Sequence, residues 1–165
     1  MPLGWDPVDH PDLVGYRIYF GTETGVYPFF VDVDLVTEFT VNGLQTCTTY
    51  YLALKARASD GTESEDVSSE VSGWPRPEIL SIGPATVTRG AQVDLTVLGW
   101  NFQSGATVVF ADPEITLNSA TVSECGEMIV NISAGLSAQL GPSDLSIVNP
   151  DQTFVSATGM ISVVD

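Results

Sequence analysis

From Tyr50 to Arg57 the chain alternates without a break. Tyr50, Leu52, Leu54 and Ala56 fall on one side, and Tyr51, Ala53, Lys55 and Arg57 on the other. A period of two sets one row against a core and the other toward solvent, which is the pattern of a half-buried β-strand. Asn42-Gly43 upstream and Asp60-Gly61 downstream are turn dipeptides that bound the segment. A strand with one apolar face needs neighbours and a second layer, so the remaining sequence must supply a sheet.

It does so throughout. Trp5 and Leu3 close a short alternating run that Asp6-Pro7 breaks, and residues 14–20 place Tyr16, Ile18 and Phe20 on one face. FFVDVDLV and TEFTV read as the next strands, and a last one falls around Ser68–Ser72. After WPRPEI, stiffened by Pro75 and Pro77, the pattern restarts with strands at about 79–88, 91–98 and 106–111. ITLNSATVSE, MIVNIS, DLSIVN and GMISVVD follow. Long helical periodicity is absent, so the expected fold class is all-β. The expected boundaries are 1–74 for the first domain, 75–78 for the linker and 79–165 for the second, each domain large enough for its own core.

Charge narrows the partners. The chain carries 21 acids and 5 bases, a net charge of −16, and both halves are acidic. Such a surface repels phosphate backbones, which argues against nucleic acid as a partner. No apolar run reaches membrane-spanning length, and Met1-Pro2-Leu3 does not read as a signal peptide.

Leu44 followed by Tyr50 resembles the tyrosine corner of sandwich folds, in which a tyrosine at the start of a strand bonds to the chain just upstream. With Trp5-Asp-Pro, GYRIYFGTETG, TTYYLALKA and ASDGTES, residues 3–73 resemble a bacterial fibronectin type III domain. That resemblance implies a first strand and most of a second ahead of Trp5, where this chain has almost nothing. The first domain is therefore expected to lack its N-terminal strand, either because the sequence is a fragment of a longer protein or because a neighbouring chain supplies the edge. SIGPATVTRG, LGWNF, SGATVVF, GPSDLSIVNPDQ and the terminal ISVV resemble the IPT/TIG immunoglobulin-like family over residues 77–165. Some members of that family sit in transcription factors, but here only Arg76 and Arg89 are basic. Together the two resemblances imply two tandem immunoglobulin-like β-sandwiches, and pairs of such domains imply spacers or adhesive modules in bacterial surface and secreted proteins.

Few residues suggest chemistry. His10 is the sole histidine, and no serine or cysteine nucleophile is placed beside it, so no catalytic residue and no enzyme activity are expected. Calcium is the one cofactor these residues suggest: Asp6, Asp9 and Asp12 on one loop and Asp60 and Glu63, with Glu65 and Asp66, on another offer hard oxygen ligands at one pole. The competing reading is a pair of solvated turns. Asn131-Ile132-Ser133 matches a glycosylation acceptor but falls within a strand. Tyr19, Tyr51, Tyr27, Phe29 and Phe30 could form an exposed strip for surface glycans, or simply cover a sheet.

Counting strand directions brings Cys47 and Trp74 to the exit pole of the first domain. The same count brings Trp100 and Cys125 to the entry pole of the second. An interdomain Cys47–Cys125 disulfide flanked by the tryptophans is then expected, in an oxidising compartment; the alternative is two unrelated small core thiols. The functional expectation is a non-catalytic structural or adhesive module of a bacterial extracellular or cell-surface protein, whose partners are other protein domains or surface glycans. Two alternatives stand beside it. One is a filament subunit completed by a donated strand; the other is a carbohydrate-binding accessory module of a secreted enzyme.

Overall fold

A computed structural model describes all residues from Met1 to Asp165 as fourteen β-strands in two compact units, Met1–Pro75 and Arg76–Asp165. The protein is all-β, and each unit is built as facing sheets around its own core.

The first unit holds β1 (Pro2–Gly4), β2 (Leu13–Gly21), β3 (Phe29–Val33), β4 (Glu38–Thr40), β5 (Tyr50–Ala58) and β6 (Val71–Gly73). One sheet has the order β3-β2-β5-β6, and the other contains only β1 and β4. The alternating row of β5 meets that of β2, with Ile18 opposite Leu54 and Phe20 opposite Leu52. Tyr16, Ile18, Val33, Val41, Tyr50 and Leu52 form the buried core, with Leu3, Trp5 and Phe39 packed against it. Burying such side chains is worth about 1.5–3 kcal/mol each before entropy is counted.

The last strand of this unit starts later than its sequence suggests. Residues 64–68 run beside β5, but serine hydroxyls occupy the positions where backbone carbonyls would sit. Ser64 Oγ accepts from the Ala56 N–H at 3.3 Å and Ser68 Oγ from the Leu54 N–H at 3.0 Å. Regular pairing resumes only where Leu52 meets Val71. Short polar side chains compete here with the backbone ladder.

The second unit holds β7 (Glu78–Gly83), β8 (Thr86–Thr88), β9 (Gln92–Trp100), β10 (Thr107–Phe110), β11 (Ile115–Glu124), β12 (Glu127–Ala134), β13 (Gly141–Val148) and β14 (Phe154–Val164). Two four-stranded sheets result, β11-β12-β9-β7 and β10-β13-β14-β8. In β12, Met128, Val130, Ile132 and Ala134 are all buried at alternate positions, facing Leu145, Ile147, Ile161 and Val163 of the other sheet within one core. The strand expected over 79–88 is divided. β7 pairs with β9 in one sheet, whereas β8 pairs in parallel with β14 in the other. Pro84 stands between them, and a proline has no N–H with which to continue the β9 ladder.

Candidate functional site

The densest set of interacting polar side chains lies on the outer face of β3-β2-β5. Parity puts Arg17 and Tyr19 of β2 opposite to the core residues Tyr16, Ile18 and Phe20, and register places them beside Asp32 and Phe30 of β3. Across β5 their partners are Lys55 and Ala53. Three of the five bases in the chain, Arg17, Lys55 and Arg57, therefore share this face.

Acids pair with the two arginines. Arg17 Nε and Nη2 donate to the two oxygens of Asp32 at 2.6 and 2.8 Å, and Nη1 donates to Glu63 Oε1 at 2.8 Å. Arg57 reaches Asp32 Oδ2 at 3.1 Å, and Lys55 donates to the Glu65 carbonyl at 3.0 Å. The other Glu63 oxygen accepts the Tyr19 hydroxyl at 2.8 Å. Hydrogen bonding from Arg17 holds the Asp32 carboxyl below its usual range, and the bond to Asp32 raises Arg17 in turn. The bond to Glu63 raises the Tyr19 phenol. The guanidinium also stacks over the exposed Phe30 ring, 4.1 Å from its centroid, and Tyr19 lies 6.1 Å from Phe30. The arrangement is a charge-compensated platform holding an aromatic pair toward solvent.

The expected aromatic strip is only partly assembled. Tyr19, Phe30 and Tyr51 share the outer face, but Phe29 pairs with Phe20 across the strands and packs against its ring at 5.6 Å. Adjacent residues of a strand point to opposite faces, so Phe29 and Phe30 cannot share one. Tyr27 is drawn elsewhere: its hydroxyl bonds to Glu70, which also accepts from Thr24 Oγ1 and the Gly25 N–H.

The two loops of the calcium expectation do meet, since the Ser59 N–H donates to the Asp12 carbonyl at 2.9 Å. Their carboxylates do not converge. Asp60 Oδ1 accepts both the Thr62 N–H and hydroxyl, at 2.9 and 2.7 Å, and Glu63 is committed to Arg17 and Tyr19. Asp6, Asp9 and Asp12 are exposed and join no such group, and nowhere do three or more histidine, cysteine or acidic side chains gather as a metal-binding set. Turn bonding thus engages Asp60, and the salt-bridge network engages Glu63. His10 is a turn residue whose Nδ1 accepts from the Asp12 N–H at 3.3 Å. Asn131 bridges strands: it donates to Asp94 at 2.6 Å and accepts from Gln92 and Asn118 at 2.7 and 2.8 Å.

The Tyr50 hydroxyl accepts the Gln45 N–H at 3.0 Å, and Trp5 packs edge-on against Tyr16 at 5.4 Å. Trp74 Nε1 donates to Thr49 Oγ1 at 2.8 Å, close along the chain to Cys47, which has a φ of 60°. In the second unit Trp100 lies over Gly126, and the Cys125 carbonyl accepts the Phe102 N–H at 2.8 Å. Neither cysteine is a free thiol. Sequence reasoning missed Arg17, Asp32 and Arg57. The available signal was the parity of Arg17, Lys55 and Arg57 on two paired strands of an otherwise acidic chain.

No family model matches the chain, and no curated protein matches it. Among solved structures, the chain is similar to SGBP-B of the mixed-linkage glucan utilization locus of Bacteroides ovatus, solved in complex with a mixed-linkage heptasaccharide. The similarity has a TM-score of 0.37 and 14% identity, and it covers 93% of this chain and 38% of that one.

Proposed function

We propose that the chain is a non-catalytic structural or adhesive module of a bacterial extracellular protein, with a fibronectin type III-like first unit and an IPT/TIG-like second. The observation that carries the extracellular part is the state of the cysteines: neither is free, and lasting disulfides belong to oxidising compartments. The pairing we propose is Cys47 with Cys125. The non-catalytic part is supported by the side chains best suited to chemistry, since Asp32, Glu63 and Tyr19 are engaged in cross-strand bonds. Thiol titration of denatured, unreduced protein from an oxidising compartment is expected to find no thiol. Two thiols per chain would remove both the bridge and the extracellular reading.

Glycan binding is a second reading, and Phe30 favours it. This ring is 56% exposed and held by Arg17 and Tyr19 on a polar face, the kind of surface on which a sugar ring can stack. On a glycan array, a signal lost on Phe30→Ala would support this reading; no signal for the parent chain would dismiss it.

A further inference from the structure

Two turns of the first unit place a glycine directly after an asparagine or aspartate, at Asn42-Gly43 and Asp60-Gly61. In such a pair the glycine nitrogen can attack the carbonyl carbon of the preceding side chain and close a five-membered succinimide. No Cβ on the glycine shields that approach. The reaction needs a free nitrogen and a free side chain, and the two turns differ in both.

At Asp60-Gly61 both groups are held. Asp60 Oδ1 accepts the Thr62 N–H and hydroxyl at 2.9 and 2.7 Å, and the Gly61 N–H donates to the Ala58 carbonyl at 3.0 Å. At Asn42-Gly43 they are not. The Gly43 N–H has no hydrogen-bond partner, and a Cβ placed on Gly43 would meet nothing within 4 Å. Asn42 is exposed, and its amide makes one bond, from Nδ2 to the Thr40 carbonyl at 3.1 Å. The other four asparagines are protected. Asn101 and Asn149 are buried, and Asn149 precedes Pro150, which has no N–H to react. Asn118 and Asn131 lie within β11 and β12, where bonds to Ser133 and Asp94 and to each other hold their amides.

We infer that Asn42 is a site of spontaneous deamidation in the folded protein. The Gly43 nitrogen gives its proton to solvent base and bonds to Asn42 Cγ. The Cγ–Nδ2 bond then breaks, and ammonia leaves with a proton taken from solvent. Water opens the resulting succinimide at one of its two carbonyls. Opening at Cγ leaves aspartate in an ordinary backbone; opening at the former backbone carbonyl leaves isoaspartate. The net exchange is water consumed and ammonia released, with no redox partner.

Isoaspartate lengthens the main chain by a methylene at a sensitive place. Val41 on one side is buried, and Leu44 on the other packs against the same core. Gln45, whose N–H is held by the Tyr50 hydroxyl, follows at once. The modified chain therefore has a looser entry to β5. This depends neither on a ligand nor on the cysteines, so failure of the adhesive reading would leave it standing.

The full chain is incubated in neutral and in mildly alkaline buffer, then digested with trypsin. Peptide Ile18–Lys55 has Asn42 as its single asparagine, so mass spectrometry of that peptide reads the site. Methylation by an isoaspartyl methyltransferase reads the isoaspartate. Conversion of amide to acid is expected at Asn42 ahead of every other asparagine, faster at the higher pH, with ammonia released in step. Asn42→Gln, at an exposed position, should leave the circular dichroism unchanged and remove both signals. The isoaspartyl form should have a lower urea midpoint than Asn42→Asp, which carries the same charge on an unaltered backbone. A folded chain that stays unmodified while the same chain unfolded in guanidinium converts would overturn the proposal. So would earlier conversion at Asn118 or Asn131. Equal midpoints for the isoaspartyl form and Asn42→Asp would overturn the looser entry to β5.

Discussion

The Tyr50 hydroxyl accepts a hydrogen bond from the Gln45 backbone N–H at 3.0 Å, which ties the entry of β5 to the turn that leads into it. Tyr16 makes a matching bond, accepting the Val8 N–H at 3.0 Å. Each ring is buried and each partner lies on a loop. Two loops of the first unit are thus anchored by phenols that rise from its core.

Tyr50→Phe and Tyr16→Phe should each destabilise the first unit, by about 1–2 kcal/mol, because each leaves a backbone N–H without its partner. Tyr16 stands opposite Ala56, six positions along β5 from Tyr50 or roughly 20 Å. At that separation the effects should add to within about 0.5 kcal/mol. Urea midpoints of both single variants and the double variant check this, and a double variant no worse than either single one would contradict it.

Arg17→Lys should lower the urea midpoint of the first unit although it keeps the charge. An ammonium cannot reproduce the two-pronged bond to Asp32 together with the bond to Glu63 and the stacking on Phe30. The loss should be much reduced in a background that already carries Asp32→Asn and Glu63→Gln. An undiminished loss there would show that the network is not its source.

Glu70 gives the first unit a pH dependence of definite sign. Its carboxylate accepts from Thr24, Tyr27 and Gly25, and these bonds hold its pKa below the usual range. A depressed pKa contributes stability that is present above the unfolded value, about 4.3, and is lost as pH falls through the folded one. Asp32 and Asp60 act in the same direction, through Arg17 and Thr62 respectively. Urea midpoints should therefore be flat near neutrality and fall below about pH 4. Glu70→Gln should be less stable than the parent at pH 7 and show a shallower acid decline. A decline as steep as the parent's would rule Glu70 out as a contributor.

Gly99→Ala should destabilise the second unit by about 1–3 kcal/mol, since a new methyl group there has no room. A Cβ at this position would lie 1.9 Å from the Glu78 carbonyl oxygen and 2.5 Å from the Phe102 ring. Gly4→Ala meets only the Thr37 carbonyl oxygen at 3.8 Å and should stay within about 0.5 kcal/mol of the parent. Amide exchange in β9 and β12 reads the second unit directly. Unchanged protection in Gly99→Ala would mean that β7 can move away from β9 at little cost.

What the sequence determined by itself is local. Tyr50, Leu52 and Leu54, like Met128, Val130 and Ile132, announce their shared face because successive side chains of an extended backbone must alternate. The turns at Asn42-Gly43 and Asp60-Gly61 are legible for a similar reason: Gly43 and Gly61 adopt positive φ angles that other residues disfavour. The tertiary structure decided whatever depends on which strands become neighbours. Glu63 meets Arg17 across 46 positions, and that bond diverts one of the expected calcium ligands. The pairing of β2 with β3 decided that Phe29 meets Phe20 and Phe30 meets Tyr19. The run over 79–88 divides between sheets at Pro84 because a break in one ladder frees the chain to join another. A groove lined by Leu3, Leu52 and Val71 belongs to the same class. Alternation is set by the sterics of each residue, whereas pairing is set by the packing of segments far apart in the chain, which no local pattern encodes.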